Sequence, residues 1–408
     1  MTSVPGGLVI VGASLAGVRA AEAIREAGFS GRLTLIGAGP HFPPYDRPPL
    51  SKHLSPADPA RLTRIRVRDD LEAELVLGTP AAGLDVAGRR VSLDDGSSRG
   101  YGGLVIATGA APRTLPGASG NVMVLRTVRD SARLAESLNS PGRGRPARVT
   151  VIGAGVLGCE IAAACRGMGA DVTMIDVQPE PMVRVVGTGV GRILRDLHVR
   201  NGVRLLLGRS VESVSGSGTA TEVRLAPSQE PGGQEHGERE VSADVVVVCI
   251  GVAPNTGWLA DSGLTVSDGV VCDRWCFAEG SDRTVVAAGD VARWYHPLLG
   301  RLVRVEHWTN AATQGGTAAR NLLAVLSGTG EPASYDALPY SWSDQYGWKL
   351  QMLGVPAGAV QIAEGSTADG KFVAVYSERG QLTGALCVNL PSRLRHWRQE
   401  VTAAASRV

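Results

Sequence analysis

The sequence has 408 residues, 44% of them hydrophobic, and a formal net charge of +2. Because a chain of this length exceeds one ordinary hydrophobic core, we expect two or three domains. The near-neutral charge argues against nucleic acid as a partner, since proteins that bind nucleic acid carry a marked basic excess.

The cysteines and the N-terminus narrow the class further. The six cysteines do not form the paired motifs of a zinc site, so we expect reduced thiols and no metal. No basic residue precedes Arg19, so the charged segment of a secretion signal is missing. The longest apolar run, VVVVCIGVA, has the length of a strand and falls short of the ~20 residues of a membrane span. These features predict a cytoplasmic protein without membrane association.

The first predicted unit is a strand, a glycine-rich turn, a helix and a second strand. Residues 8–13, LVIVGA, form an apolar, β-branched run that is typical of a buried parallel strand. The run continues into GASLAG and a helical stretch closed by Gly28, and residues 32–39 form the next strand. This pattern predicts a dinucleotide site with a pyrophosphate at the helix N-terminus. Ser14 replaces the middle glycine, which weakens the motif without abolishing it.

The octapeptide YDRPPLSK, Tyr45 to Lys52, follows this unit. Among 41 Lys and Arg residues, Lys52 is one of three lysines, with Lys349 and Lys371. Lysine is a compact point charge, whereas arginine is a planar, permanently charged fork. Lys52 therefore marks a site that needs a compact cation, or it is an exposed residue after a turn.

A second strand–turn–helix–strand pattern begins at residue 148. The strand RVTVIG leads into GAGVLG, in which Gly153, Gly155 and Gly158 are all present. The next strand, DVTMID, ends at Asp176, where an acid binds the adenosine ribose and favours NADH over NADPH. Two such patterns predict two dinucleotides, one bound permanently and one exchanging.

The chain resembles the FAD-dependent pyridine-nucleotide reductases, in the ferredoxin, putidaredoxin and rubredoxin reductase branch that serves Rieske oxygenases and bacterial cytochromes P450. The motifs that carry the resemblance extend over nearly the whole chain. They are YDRPPLSK, IATGAAPRTLPG (106–117), GAGVLGCE (153–160), GVAPNT (251–256), AAGDVA (287–292), VEHWTNAATQG (305–315) and PYSWSDQYG (339–347).

The resemblance implies an α/β fold with two Rossmann-like dinucleotide-binding domains, for FAD and NAD as in glutathione reductase, and a C-terminal α/β domain. The implied FAD domain comprises residues 1–118 and 250–328. The implied NADH domain spans 119–249, and the C-terminal domain spans 329–408. Within the NADH domain, the polar stretch 227–240 reads as the tip of a long hairpin.

The resemblance also implies the catalytic pair, Lys52 and Glu160, as an ion pair beside the site of hydride transfer. For Glu160, the alternative is an ordinary acid in the first turn of a helix. Asp290 is expected to bind the FAD ribitol, which is compatible with a helix-capping role. The full set of implied FAD contacts is Gly12, Ser14, Leu15, Ala16, Gly17, Arg47, Lys52, Ala81, Ala107, Thr108, Gly109, Arg126, Gly289, Asp290, Glu306, His307, Trp308 and Trp342.

Several of these assignments have a plainer alternative. Trp308 is expected against the flavin ring and Trp342 on the other side, unless Trp342 is a core tryptophan. Arg126 is expected near the FAD pyrophosphate and Arg184 near the NADH adenosine, unless either is a solvated surface arginine. The implied NAD contacts are Gly153, Gly155, Val156, Leu157, Gly158, Glu160, Asp176, Arg184 and Gly251.

Two features depart from what the resemblance implies. Where the branch has an acid for the FAD ribose, this chain has Ala38 and Gly39, and the lost hydrogen bonds should cost about 1–3 kcal/mol. Residues 40–62 contain no redox cysteine pair, which argues against disulfide-reductase chemistry. Cys272 and Cys276 are expected to be structural.

By resemblance, the protein transfers hydride from NADH to FAD and passes single electrons to a ferredoxin. Rubredoxin reductase, NADH oxidase or peroxidase, and a slow NADH-responsive protein like apoptosis-inducing factor are the alternatives. The stretch SRLRHWRQE, 392–400, places Arg393 and Trp397 on one helical face, which is either a docking surface or a solvated helix face. The protein is expected to be a monomer or a weak homodimer.

Overall fold

The computed structural model describes residues 4–54, 63–140, 143–217, 220–227 and 239–406. Within these ranges, strands β1–β26 and helices α1–α6 are numbered in chain order. Most of the predicted hairpin tip at 227–240 lies outside the described residues. Two parallel sheets and one antiparallel sheet dominate the fold.

The first parallel sheet has five strands in the order β19-β7-β1-β2-β3. All of its paired strands run parallel, and β1 is buried along its whole length, as its apolar sequence predicts. The strands are β1 Leu8–Val11, β2 Leu33–Gly37, β3 Glu74–Leu77, β7 Gly103–Ile106 and β19 Val285–Ala287.

Two helices, α1 Leu15–Glu26 and α5 Trp308–Ser327, pack on the first sheet and on each other. Their contact is close because it is made by small residues. A Cβ atom on Gly315 would collide with the Ala16 carbonyl, so the two backbones could not approach this closely with a larger residue there. This contact fixes the N-terminal end of α5 beside the first glycine-rich turn.

The second parallel sheet repeats the arrangement, with five strands in the order β12-β11-β10-β16-β9. Its helices are α2 Val128–Leu138, α3 Val156–Gly167 and α4 Val183–Arg200. Its strands are β9 Val122–Met123, β10 Arg148–Ile152, β11 Asp171–Asp176, β12 Val203–Leu207 and β16 Val245–Val248. The two predicted βαβ units are confirmed.

Smaller antiparallel elements connect and flank the two parallel sheets. Strand β8 pairs with β17, so the chain leaves the first unit and returns to it along two adjacent strands. The other small sheets are β4-β5-β6, β13-β14-β15 and β18-β20-β21. The bounds are β4 Ala81–Asp85, β5 Arg90–Leu93, β6 Ser98–Gly100, β8 Ala110–Pro112, β13 Val211–Ser217, β14 Ala220–Leu225, β15 Glu240–Ala243, β17 Val252–Pro254, β18 Val270–Cys272, β20 Ala292–His296 and β21 Arg301–Val303.

The C-terminal segment forms an antiparallel sheet in the order β22-β23-β26-β25-β24, with helix α6 Leu394–Ala405 packed on it. Another part of the sheet shares a core with the second parallel-sheet unit, because buried residues such as Phe372 and Tyr376 pack with residues of α4. The strands are β22 Tyr340–Gln345, β23 Trp348–Gly354, β24 Ala359–Ser366, β25 Lys371–Glu378 and β26 Gln381–Val388.

Histidine 198 lies fully buried in this shared core. Its Nδ1 atom is 3.0 Å from the Tyr346 hydroxyl, and burial lowers the pKa of His198 from 6.5 to about 4.

No helix in the described part of the chain has both the length and the hydropathy needed to cross a bilayer.

The lowered pKa of His198 predicts a loss of stability in acid. In the unfolded chain His198 takes up a proton near pH 6.5, whereas in the folded chain it does so only near pH 4. The contribution of this residue to the free energy of unfolding is therefore fully present above pH 6.5 and is lost as the pH falls from 6.5 to about 4. Between pH 7 and pH 5 the free energy of unfolding should fall by about 2 kcal/mol through this residue. Urea unfolding of the wild type and His198→Gln at both pH values measures it. Equal losses in the two proteins would contradict the prediction.

Candidate functional site

A cavity of about 1250 Å³ lies where the two parallel-sheet units and the C-terminal sheet meet. It is lined from both glycine-rich turns, from the turn after YDRPP, from the start of α5 and from β22. The carboxyl ends of β1 and β10 point toward it, which is where open α/β sheets bind their ligands. The volume exceeds the ~300–1,000 Å³ of an ordinary small-molecule site, so it can hold parts of two ligands.

Two glycines of the first glycine-rich turn, Gly12 and Gly17, permit close backbone contacts. Gly12 has a φ of +123°, and a Cβ atom there would collide with the Ala107 carbonyl. A Cβ atom on Gly17 would collide with the Gly12 carbonyl. These two glycines therefore bring α1 close to the sheet from beneath the cavity, whereas Ser14, Leu15 and Ala16 line it.

The second turn has the same geometry. Gly153 has a φ of +108° and closely approaches the Cys249 carbonyl, and Gly158 approaches the Gly153 carbonyl. Gly155 differs, because a Cβ atom there would meet nothing within 4 Å. It faces the open cavity at the start of α3, where the helix N-terminus can bind a phosphate group.

Asp176 ends β11 on the cavity wall, as the sequence predicts. Its Oδ2 atom accepts a hydrogen bond from the Ala154 backbone N–H at 2.5 Å, and its Oδ1 atom accepts one from Gln178 at 2.7 Å. The carboxylate is therefore held in one orientation beside the second glycine-rich turn. Arg184 is exposed and also lines the cavity. Its position is therefore compatible both with a solvated surface arginine and with a residue near the NADH adenosine.

The ion pair predicted between Lys52 and Glu160 is confirmed, with 3.1 Å between Lys52 Nζ and Glu160 Oε1. The Lys52 side chain is 11% exposed and that of Glu160 is 6% exposed, so Lys52 is not an exposed residue after a turn. Glu160 is also not an acid of the first turn, since α3 begins at Val156 and has no acid there.

Two further residues complete this pair, and the sequence did not identify them. Ser51 donates its hydroxyl to Glu160 Oε2 at 2.6 Å, and Asp344 Oδ2 lies 2.6 Å from Lys52 Nζ. The Asp344 backbone N–H also donates to Glu160 Oε1 at 3.3 Å. Buried charges are tolerated when they are paired and hydrogen-bonded, and here the Lys52 ammonium has two carboxylate partners and both carboxylate oxygens of Glu160 accept hydrogen bonds. A signal for Asp344 existed, because it lies in the WSDQ motif.

Two tryptophans line the cavity beside this charged group. Trp308, at the start of α5, donates its indole N–H to Asp46 at 2.6 Å. Trp342, on β22, is half-buried and lies edge-on to Trp308 with 6.1 Å between ring centroids. Lys52 Nζ is 5.7 Å from the Trp342 ring, so Trp342 belongs to the site and not to a core.

Two arginines near the first glycine-rich turn carry uncompensated positive charge. Burial and the repulsion of Arg126 lower the pKa of Arg47 to about 10. Arg126 Nη2 is 3.5 Å from Asp290 Oδ2, and the same carboxylate also attracts Arg47 electrostatically. Asp290 lies inside the short turn Gly289–Val291 and is not its N-cap. An anionic ligand at this end of the cavity would neutralise the excess charge.

His307 provides another unsatisfied group on the cavity wall. Its Nδ1 atom is buried and has no hydrogen-bond partner among the described residues, and burial lowers its pKa to about 4. A neutral imidazole with a free nitrogen suits a polar, hydrogen-bonding ligand. With the arginine pair and the first glycine-rich turn, these residues fit FAD, which has a pyrophosphate and a polar ring edge.

The cavity brings together nearly all of the predicted site residues. The predicted FAD and NAD contacts line it, except Gly12, Gly17 and Gly158, which lie beneath the turns, and Ala81, which lies in β4 away from the lining. Ala38 and Gly39 are exposed and do not line it either. In the described ranges, no three His, Cys, Asp or Glu side chains converge as a metal site requires.

The structure gives intramolecular partners to the helix face of Arg393 and Trp397, for which the sequence left a docking surface and a solvated face as alternatives. Arg393 and Trp397 do share a face, but both bind Glu364 of β24, at 2.6 and 2.9 Å. That face is therefore tied to its own sheet through Glu364, while the Arg393 side chain remains 55% exposed. Cys272 and Cys276 are buried free thiols outside the cavity lining, and burial raises the pKa of Cys276 to about 12, which supports their predicted structural role.

Two dinucleotide-binding units that share one cavity define an oxidoreductase that couples a pyridine nucleotide to a second, bound cofactor. Comparison with known sequences agrees. The chain belongs to the pyridine nucleotide-disulphide oxidoreductase family, whose family model matches residues 7–315. A reductase C-terminal model matches residues 340–407. The resemblance inferred from the sequence motifs is confirmed.

Individual relatives match over nearly their whole length. The ferredoxin–NAD(+) reductase component of the anthranilate 1,2-dioxygenase system of Burkholderia cepacia is 37% identical, with 97% of this chain and 94% of that protein covered. Rhodocoxin reductase of Rhodococcus erythropolis is 36% identical, with 94% and 86% covered. The crystal structure of the covalent putidaredoxin reductase–putidaredoxin complex has a TM-score of 0.86 at 30% identity, covering 98% of this chain and 94% of that one.

Proposed function

We propose that this protein is an NADH-dependent flavoprotein reductase that passes electrons through FAD to a ferredoxin serving an oxygenase or a cytochrome P450. The observation that carries the proposal is the single cavity that joins two dinucleotide cradles and contains the Lys52–Glu160 pair. Relatives named as ferredoxin–NAD(+) reductase components of dioxygenase systems support the choice of acceptor.

The second cradle binds NADH. The N-terminus of α3 binds the pyrophosphate, because Gly155 leaves its surface open. Asp176, held by two backbone hydrogen bonds, accepts hydrogen bonds from the adenosine ribose and repels a 2′-phosphate. These two features make NADH the preferred nucleotide.

The first cradle binds FAD, which when bound accepts hydride and releases electrons singly. Arg47 and Arg126 neutralise its pyrophosphate, and Asp290 binds its ribitol hydroxyls. Trp308 and Trp342 line the site of the flavin ring and limit the access of water to it. Lys52 contributes positive charge and Glu160 negative charge where the two cradles meet, so the protein orients both ligands and tunes the charge around them.

The cellular setting is also a proposal. Six free thiols, five of them buried, are compatible with a reducing compartment, so we place the protein in the cytoplasm. We also propose that it is a monomer or a weak homodimer. The domain boundaries at residues 118, 249 and 328 are likewise proposed, with the sheets described above as support.

Anaerobic titration of the FAD-reconstituted protein with NADH tests the proposal directly. The flavin absorbance should bleach with one equivalent of NADH, and NADPH should act far more slowly because of Asp176. A panel of ferredoxins and rubredoxins, with cytochrome c as the final acceptor, then identifies the partner. A flavin that NADH does not bleach would rule out the proposed reaction, and turnover with rubredoxin alone would change the acceptor.

A further inference from the structure

The ammonium group of Lys52 has two carboxylate partners from two different parts of the fold. Glu160 comes from α3 of the second parallel-sheet unit, and Asp344 comes from β22 of the C-terminal sheet. The distance to Asp344 is the shorter one, at 2.6 Å against 3.1 Å. Lys52 itself follows a turn of the first unit. The two parallel-sheet units and the C-terminal sheet therefore each contribute one charged side chain to this group.

Asp344 contacts both members of the pair. Its side chain binds Lys52, and its backbone N–H donates to Glu160 at 3.3 Å. Trp342, two residues earlier on the same strand, also faces Lys52, as the two-residue period of a strand requires. One face of β22 therefore encloses the Lys52 side chain.

The exposure of the three charges is uneven. The Asp344 side chain is 39% exposed, whereas Lys52 and Glu160 are 11% and 6% exposed. Asp344 thus lies at the solvent side of the group, and its removal would leave the buried pair otherwise intact. One ammonium and two carboxylates carry a net charge of −1. Because the charges of Lys52 and Glu160 cancel each other, this net charge is that of Asp344.

We propose that Asp344 is a positioning residue, which fixes the Lys52 ammonium for hydride transfer and sets the net charge of the site. The inference rests on the proposed NADH-to-FAD reaction. Without Asp344, Lys52 has one anchor in place of two, and its placement relative to the bound ligands becomes less defined. Small displacements of a catalytic group cost large factors in rate. The lost negative charge also makes it easier for bound FAD to take up electrons.

The test compares Asp344→Ala, Asp344→Asn and Asp344→Glu in the FAD-loaded protein. Stopped-flow reduction at saturating NADH should slow about tenfold in Asp344→Ala, with the Kd of NADH within about twofold, because the second cradle is untouched. The midpoint potential of FAD should become more positive in both Asp344→Ala and Asp344→Asn. Asp344→Glu, which keeps the charge, should restore the potential and most of the rate.

Asp369→Asn serves as the matched control, because Asp369 is an exposed acid in the same C-terminal sheet region and is not among the described ion-pair partners of Lys52. It should leave both the rate and the potential unchanged. An unaltered rate in Asp344→Ala would overturn the positioning role, whether or not the potential shifts. An unaltered potential in Asp344→Asn would overturn the charge role. If the wild type itself is not reduced by NADH, the proposed function fails before this inference is reached.

Discussion

Replacing Lys52 by methionine is expected to slow NADH-dependent reduction of the bound flavin about a hundredfold, the loss typical of removing one preorganised charge stabiliser. Methionine keeps the length of the side chain but not the ammonium. The charge that Lys52 contributes between the cradles is lost, and Glu160, 6% exposed, keeps only Ser51 and a backbone N–H as partners. An uncompensated buried carboxylate also lowers the free energy of unfolding, by about 3 kcal/mol.

Rapid-mixing absorbance measures the rate, and urea unfolding measures the stability. The chain offers a matched control in Lys371→Met, since Lys371 is an exposed lysine on β25. This control should behave as the wild type in both assays. A Lys52→Met protein that is reduced at the wild-type rate would show that the ammonium has no part in the reaction.

The second large effect is expected at Asp176. Asp176→Asn keeps the shape of the side chain but removes the charge and one acceptor, so the Ala154 or the Gln178 backbone N–H loses its partner. The KM for NADH should rise about ten- to a hundredfold, as the loss of 1–3 kcal/mol predicts, and kcat should change little. Discrimination against NADPH should fall as well, because the repulsion of the 2′-phosphate is gone.

Steady-state kinetics with both nucleotides checks this result. Asp171→Asn is the control, because Asp171 begins the same strand with a side chain that is 64% exposed. Its KM values should match those of the wild type. If Asp176→Asn retained its preference for NADH, the acid would not be the determinant of nucleotide choice.

The sequence predicted the parallel-sheet units well because they are specified locally. A buried β-branched strand, a glycine turn and an amphipathic helix follow each other within about thirty residues in each unit. The Lys52–Glu160 pair was predictable only through resemblance, since the two residues are far apart in the chain. What brings them together is the packing of the turn at Pro48–Ser51 against α3.

From the C-terminal sheet, the sequence motifs predicted Trp342 as part of the site but did not predict Asp344. Asp344 lies in the same motif as Trp342, but only the docking of β22 against α3 places it beside Lys52. The helical spacing of Arg393 and Trp397 correctly put them on one face. Spacing alone does not identify the partners of a face, and Glu364 of β24 binds both side chains of this one.

The adjacent strands β8 and β17 determine how the second unit is joined to the first. Strands β7 and β19 are neighbours in the first sheet, although the whole second unit lies between them in the sequence. The first sheet is therefore complete without any strand of the second unit. The second unit is thus a topological insertion, joined to the first at the β8–β17 pair and leaving the strand order of the first sheet uninterrupted.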